Sequence, residues 1–313
     1  MKKLWKALLI LAVVAAFAAL SCACSNEKTI TLDDGSTYVG EVEDGVPNGH
    51  GVLTDQLGST YEGNFVDGKL QGWGTYVGFD YTEYEGQFVD GEFEGFGHVI
   101  FSNGDEFWGQ FVDGIRNGVG RQQYTTACDY EGGWVDGYME GMGWMTWPCG
   151  DVYFGQWFRG DPSGFGCKVF YDPAFSIKDE YETYNIYVGN MEGNMMNGWG
   201  IMRFGESGGI YMGNWDTGIR DDTNGIYYFE EGGACMKFIG SFSATSNSGW
   251  IWGDGTMYYS NGLAITGRWE GTTLVEEYSR SYFEPETVSA ERDAAEAQVL
   301  EDDNLESMQD NSQ

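Results

Sequence analysis

Reactive side chains are sparse in this 313-residue chain, and few are spaced for chemistry. Histidine occurs twice, as His50 and His98, which leaves little to build a general base or a histidine-rich metal site. Gly205-Glu206-Ser207-Gly208-Gly209 spells the G-x-S-x-G pattern of a hydrolase nucleophile. That pattern works on a strand-to-helix elbow beside a histidine, and neither histidine is near it in sequence. Arg159-Gly160-Asp161 spells an integrin-type tripeptide, but Gly160 occupies a recurring turn position. Asp44, Asp67, Asp90, Asp113 and Asp136 also recur, each just before a turn glycine, and would line one sheet edge. Successive members would stand two strands apart, about 10 Å, while calcium–oxygen bonds are near 2.4 Å, so they cannot share a cation. The expectation is a protein with no enzymatic activity, no cofactor and no metal.

The cysteines carry a different message. Lys2, Lys3 and Lys6 precede an uncharged apolar run from Leu8 to Leu20, which is short for a membrane span and ends in small residues. The boundary Leu20-Ser21-Cys22-Ala23-Cys24 resembles a bacterial lipobox, although Leu is missing from the favoured third position upstream of either cysteine. Residues 1–21 therefore read as a lipoprotein-type signal peptide, Cys22 or Cys24 as the lipidated residue, and 22–34 as a linker. The expected location is exported, in the cell envelope, lipid-anchored to a bacterial membrane. Four further cysteines remain, Cys128, Cys149, Cys167 and Cys235, without a C-x-x-C pair; any intramolecular disulfide is expected to join Cys128 to Cys149. Removing Lys2, Lys3 and Lys6 with the signal would lower the formal charge from −33 to −36. Such a charge opposes nucleic acid and anionic lipid, so membrane contact is expected through the N-terminal lipid alone.

The 49 glycines set the architecture. An aromatic-x-Gly-x-aromatic pattern is anchored at Gly40, Gly63, Gly86, Gly109, Gly132 and Gly155, each 23 residues after the last. It continues at Gly189, Gly213, Gly240 and Gly267 with steps of 34, 24, 27 and 27. Rings stand two residues before (Tyr38, Tyr61, Tyr84) and two after (Phe65, Phe88, Phe111), so ring, glycine and ring share one strand face. Asp-Gly supplies a hairpin turn, and a Gly-x-Gly pair on the returning strand keeps its face bare where rings lie across it. One hairpin cannot bury its face alone, but stacked hairpins can.

With about ten copies of Tyr-x-Gly-x-Trp-x-x-Gly-x-x-x-Gly-x-Gly, the chain resembles the MORN repeat family over residues 35–275, most clearly over 35–167. The fold class this implies is all-β: an elongated, twisted, single-layer array of stacked antiparallel hairpins. The later repeats depart from the pattern, with Gly193-Asn194 at one turn, no Gly-x-Gly pair in repeat eight, and Thr245 and Thr272 at the last turns. An insertion near 171–185 interrupts the array. Residues 276–313 form an acidic tail in which Pro285-Glu286-Thr287 can start a helix through Leu300, laid over the last hairpin to blunt its edge.

Repeats of this family usually serve as contact platforms, so the resemblance implies a surface-anchored scaffold that binds a protein partner. A cell-wall or glycan-binding module is the alternative, because Gly/Trp/Tyr hairpin arrays also grip sugars. Most rings are core. Trp73, Trp144, Trp147, Trp199, Trp250 and Trp252 fall off the two main ring positions and are the candidates for an exposed binding strip. Phe175 and Tyr181 in the insertion join them as contact candidates.

Overall fold

The structure is a computed structural model that describes residues 27–171, 184–205, 207–242 and 251–302, with side chains described through residue 299. Cys22, Cys24, Trp250, Phe175 and Tyr181 lie outside the described residues. The chain divides into two units, residues 1–117 and 118–313. In the first, strands β1 (Glu27–Thr31), β2 (Thr37–Glu43), β3 (Val46–Thr54), β4 (Thr60–Val66), β5 (Lys69–Val77), β6 (Glu83–Val89), β7 (Glu92–Ile100) and β8 (Glu106–Val112) form an antiparallel meander.

In the second unit, β9 (Ile115–Gln123) pairs through Gly118–Gln123 with β10 (Asp129–Val135). The meander continues through β11 (Tyr138–Thr146), β12 (Val152–Phe158), β13 (Asp161–Phe170), β14 (Asn185–Glu192), β15 (Met195–Arg203) and β16 (Ile210–Asp216). It then passes through β17 (Ile219–Arg220), β18 (Asp222–Tyr228), β19 (Cys235–Phe242), β20 (Ile251–Tyr259), β21 (Leu263–Glu270) and β22 (Thr273–Tyr282). One helix, α1 (Pro285–Asp302), follows. Every strand pairing is antiparallel, so the all-β hairpin fold expected from the repeat is the fold observed.

The turns explain why Asp-Gly recurs. Asp44-Gly45, Asp67-Gly68, Asp90-Gly91 and Asp113-Gly114 all have positive φ at both residues, the two-residue type I′ geometry that suits right-twisted strands. Arg159-Gly160 and Gly193-Asn194 adopt the same geometry, so the altered turn of repeat seven is still a hairpin turn, because Asn tolerates the left-handed region.

The two glycines of each Gly-x-Gly pair do different work, which corrects the expectation that both keep a bare face. The second faces the anchor glycine across the hairpin: Gly40 opposite Gly51, Gly86 opposite Gly97, Gly132 opposite Gly143, Gly155 opposite Gly166. The first sits in a β-bulge at positive φ, as at Gly72 (+73°) and Gly141 (+76°). The leading Tyr of the hairpin lies over the second glycine and sends its hydroxyl to the carbonyl after the anchor: Tyr84 to Gln87 at 2.9 Å, Tyr153 to Gln156 at 2.9 Å, Tyr187 to Asn190 at 2.7 Å. In the Tyr153 and Tyr187 hairpins the bulge leaves Gln156 and Asn190 without a partner on the returning strand, so the hydroxyl satisfies a group that burial would otherwise penalise. Repeat two differs: Leu70 fills the slot above Gly63, and Tyr61 instead packs on Tyr76 with centroids 4.8 Å apart.

Neighbouring hairpins are welded by the second ring. Trp157 donates its indole N–H to Gly143 O of the preceding hairpin (3.1 Å) and packs edge-on against Tyr130 at 5.0 Å. Trp134 and Trp269 bond the equivalent carbonyls of Gly120 and Gly255. Gly225 in repeat eight, closed by Phe242 and Tyr211, and Gly255 in repeat nine, closed by Phe238, keep the slot.

Two expectations fail. Helix α1 does not cover the last hairpin. It lies against β14, β15, β16 and β19, where Val288, Ala295 and Val299 join Cys167, Val169, Ile186, Val188, Ile201 and Ile210 in one buried cluster. The physical reason is that Ile186-Tyr187-Val188 is apolar on both faces, so this part of the sheet needs a second cover, as β22 does not. Nor do Cys128 and Cys149 form a disulfide: both are free thiols in successive inter-hairpin loops, and Cys167 in β13 and Cys235 in β19 are free as well.

Candidate functional site

The x of each Gly-x-Gly points away from the ring core, because the bulge and the pleat alternate around it. The sequence places a large side chain there again and again. In the first unit these are Trp73 (63% exposed) and Phe96 (55%), with exposed His50 one hairpin earlier. In the second they include Met142, Phe165 and Trp199, all exposed. Each stands opposite an amide side chain of the next strand: Trp73 opposite Gln87, Phe96 opposite Gln110, Phe165 opposite Asn190, Trp199 opposite Asn214. Within each unit this face therefore displays apolar surface at regular intervals with hydrogen-bonding groups alongside.

Of the expected strip, Trp73, Trp199 and Trp252 (47%) are exposed. Trp144 and Trp147 are not part of it. Trp144 is half-buried, its indole N–H bonded to Thr146 Oγ1 at 3.2 Å. Trp147 is half-buried with the Lys168 ammonium 4.9 Å from its ring. Phe96, Met142 and Phe165 are not tryptophans and lie outside the strip expected from sequence; the signal that marks them is their shared position between two glycines. The anchor glycines remain structural: Gly109 faces Gly97, Gly189 faces Gly200, and Gly267 is closed by Leu274 and the Glu276 carbonyl. Tyr211 closes Gly213, and Gly240 faces Gly255.

The titratable groups on the core side are held by burial. Lys168 lies between Trp147 and Phe170, donates to Asn194 Oδ1 at 2.9 Å, and burial lowers its ammonium below the usual lysine range. Arg220 is likewise lowered by burial beside Phe204 and Tyr211. Burial raises the Tyr84 hydroxyl to about 12 and the Cys235 thiol upward. Cys235 and Arg292 line a cavity of about 280 Å³ between α1 and the loop after β18. Ser207 sits between β15 and β16, so a strand rather than a helix follows it, and the elbow geometry of a hydrolase is not formed. Arg159-Gly160-Asp161 is a hairpin turn continuing into β13. No group of three metal-ligating side chains converges among the described residues, and no described helix is long and apolar enough to cross a membrane.

The MORN repeat model matches residues 38–59, 61–83, 84–106, 109–127, 130–152 and 153–172, so this stretch is a run of six MORN repeats. Such repeats serve in general as protein- or membrane-interaction modules. No curated protein matches the chain. Among solved structures, a loose likeness is found to the TCP domain of SAS-4 (dCPAP) in complex with a proline-rich motif of Ana2 (dSTIL) of Drosophila melanogaster. It is 11% identical, covers 59% of this chain and 87% of that one, and has a TM-score of 0.30, too low to bear on this protein.

Proposed function

We propose that the protein is an exported scaffold, held at a membrane surface by lipid on Cys22 or Cys24, which binds a protein partner through the outer face of its β-platform and performs no catalysis itself. The observation that carries the partner-binding reading is the row of exposed large side chains between paired glycines, above all Trp73 and Phe96. Scattered exposed apolar residues need no explanation, but a regular row of them does. A glycan is the second reading, favoured by the amides of Gln87 and Gln110 beside these rings.

A photo-crosslinking amino acid in place of Trp73, activated in the native cells and followed by mass spectrometry, tests the partner. A discrete protein adduct is expected; adducts with polysaccharide alone would overturn the reading. The anchor is tested separately by Cys22→Ala together with Cys24→Ala, which is expected to abolish partition into detergent. Unchanged partition would remove the lipid from the account.

A further inference from the structure

Helix α1 shows what the outer face of this sheet accepts. It lies over Val188, one residue before an anchor glycine, and Ile201, one residue after the second glycine of a pair. Its carboxylates meet cations that the sheet supplies: Glu296 pairs with Arg203 at 3.0 Å, and Glu291 pairs with Lys237, three residues before the anchor Gly240. An acidic helix is thus seated on an apolar strip bordered by lysine and arginine.

The same register positions in the first unit carry no helix from the described residues, and they hold carboxylates and apolar side chains where the second unit has Lys237 and Arg203. The positions of Val188 become Glu62, Glu85 and Trp108, and the position of Lys237 becomes Glu83. Apolar side chains remain beside them at Val52, Val77 and Ile100, each half-buried. Glu62, Glu83 and Glu85 have no ion-pair partner among the described residues. The cations of residues 27–117 are limited to Lys28, Lys69 and Arg116, of which Lys69 is within 3.8 Å of Asp90 and Arg116 lies over Phe101 and Phe107.

We infer that the outer face of β4–β8, within the first unit, docks a basic amphipathic helix of a partner protein, laid across the strands as α1 is laid in the second unit. This rests on the protein-binding reading above and names the chemistry of the partner. Charge selects the occupant. A second copy of α1 carries Glu286, Glu291, Asp293 and Glu296 against Arg292, and would meet glutamates of the same sign. A partner helix with lysine or arginine beside an apolar stripe satisfies both the glutamates and the strip of Val77 and Ile100, which ends at Trp108 with His98 stacked on its ring.

The probe is a synthetic peptide with the length and apolar positions of α1 but lysine in place of its Glu and Asp. The full chain is titrated with this peptide, with the unaltered α1 peptide, and with a scrambled basic peptide of equal charge. The basic helix is expected to bind and to gain helicity on binding, while the other two bind at least about tenfold more weakly. Glu62→Lys with Glu85→Lys is expected to weaken the basic peptide about tenfold or more and to let the acidic α1 peptide bind; Glu62→Gln with Glu85→Gln, which removes the charge without reversing it, is expected to give an intermediate loss. Equal binding of the scrambled peptide, or indifference to the glutamate substitutions, would overturn the inference. Crosslinks in cells to a protein through a non-basic segment would overturn it and leave the protein-binding reading standing. Crosslinks to polysaccharide alone would overturn both.

Discussion

Tyr130 lies across Gly143 of the adjacent strand so closely that a β-carbon on that glycine would meet three of its atoms well inside 3.0 Å. Its hydroxyl is fixed at the same time by a 2.9 Å bond to Gly133 O. The ring cannot retreat without losing both its seat and that bond. Gly143→Ala is therefore expected to cost about 2–4 kcal/mol, combining overpacking with a lost buried hydrogen bond. Gly141, two residues earlier, has open space around it and φ of +76°, so Gly141→Ala is expected to cost about 1–2 kcal/mol from backbone strain alone. Urea unfolding of the two variants separates the effects, and equal losses would mean that the ring is not seated as described.

Buried tyrosines make the array sensitive to alkali. Desolvation keeps the Tyr84 hydroxyl protonated to about pH 12, whereas an unfolded tyrosine ionises near 10. Tyr130, Tyr153, Tyr187 and Tyr211 are raised in the same direction, again chiefly by burial. A folded-state value above the unfolded one means that the stabilisation is complete below about pH 10 and is lost as the pH rises through 12. Tyrosine absorbance is expected to titrate in two stages, the exposed rings first and the seated rings together with unfolding. A single early transition with the fold intact would contradict the burial of these hydroxyls.

Seating of α1 depends on a thin apolar contact. Ala295 is buried against the sheet, so Ala295→Asp places a carboxylate in that contact and is expected to release the helix at a cost of about 2–4 kcal/mol. Hydrogen exchange should then rise in α1 and in β14–β16 but not in β10–β12, because coupling in a repeat array acts mainly between neighbours. Uniform deprotection of the second unit would show that α1 supports more than its own footprint.

The free thiols should differ in reactivity by access. Cys149 is exposed and Cys167 is buried beneath α1. Alkylation of the native protein is expected to label Cys149 first and Cys167 only after unfolding or after Ala295→Asp. Peptide mapping that finds Cys128 joined to Cys149 would restore the disulfide that the structure lacks.

The repeat was legible in the sequence because its signals are local. Asp-Gly fixes a type I′ turn, Tyr-x-Gly alternates with period two, and Pro285-Glu286-Thr287 starts a helix, all without reference to the rest of the chain. The glycine slots followed from the same periodicity, although spacing could not separate Gly141 at a bulge from Gly143 beneath a ring. That distinction depends on which strand residue is left unpaired once two strands align. The docking of α1 was not legible either. Its apolar residues are few, and the cluster it completes draws Cys167, Ile186, Ile201 and Ile210 from four strands. Likewise the half-burial of Trp144 and Trp147 depends on Thr146, Phe154 and Lys168 being brought beside them. Local backbone preference determined the hairpins; which of their outer faces is covered and which is left exposed was decided by side chains that meet only when the strands stand side by side.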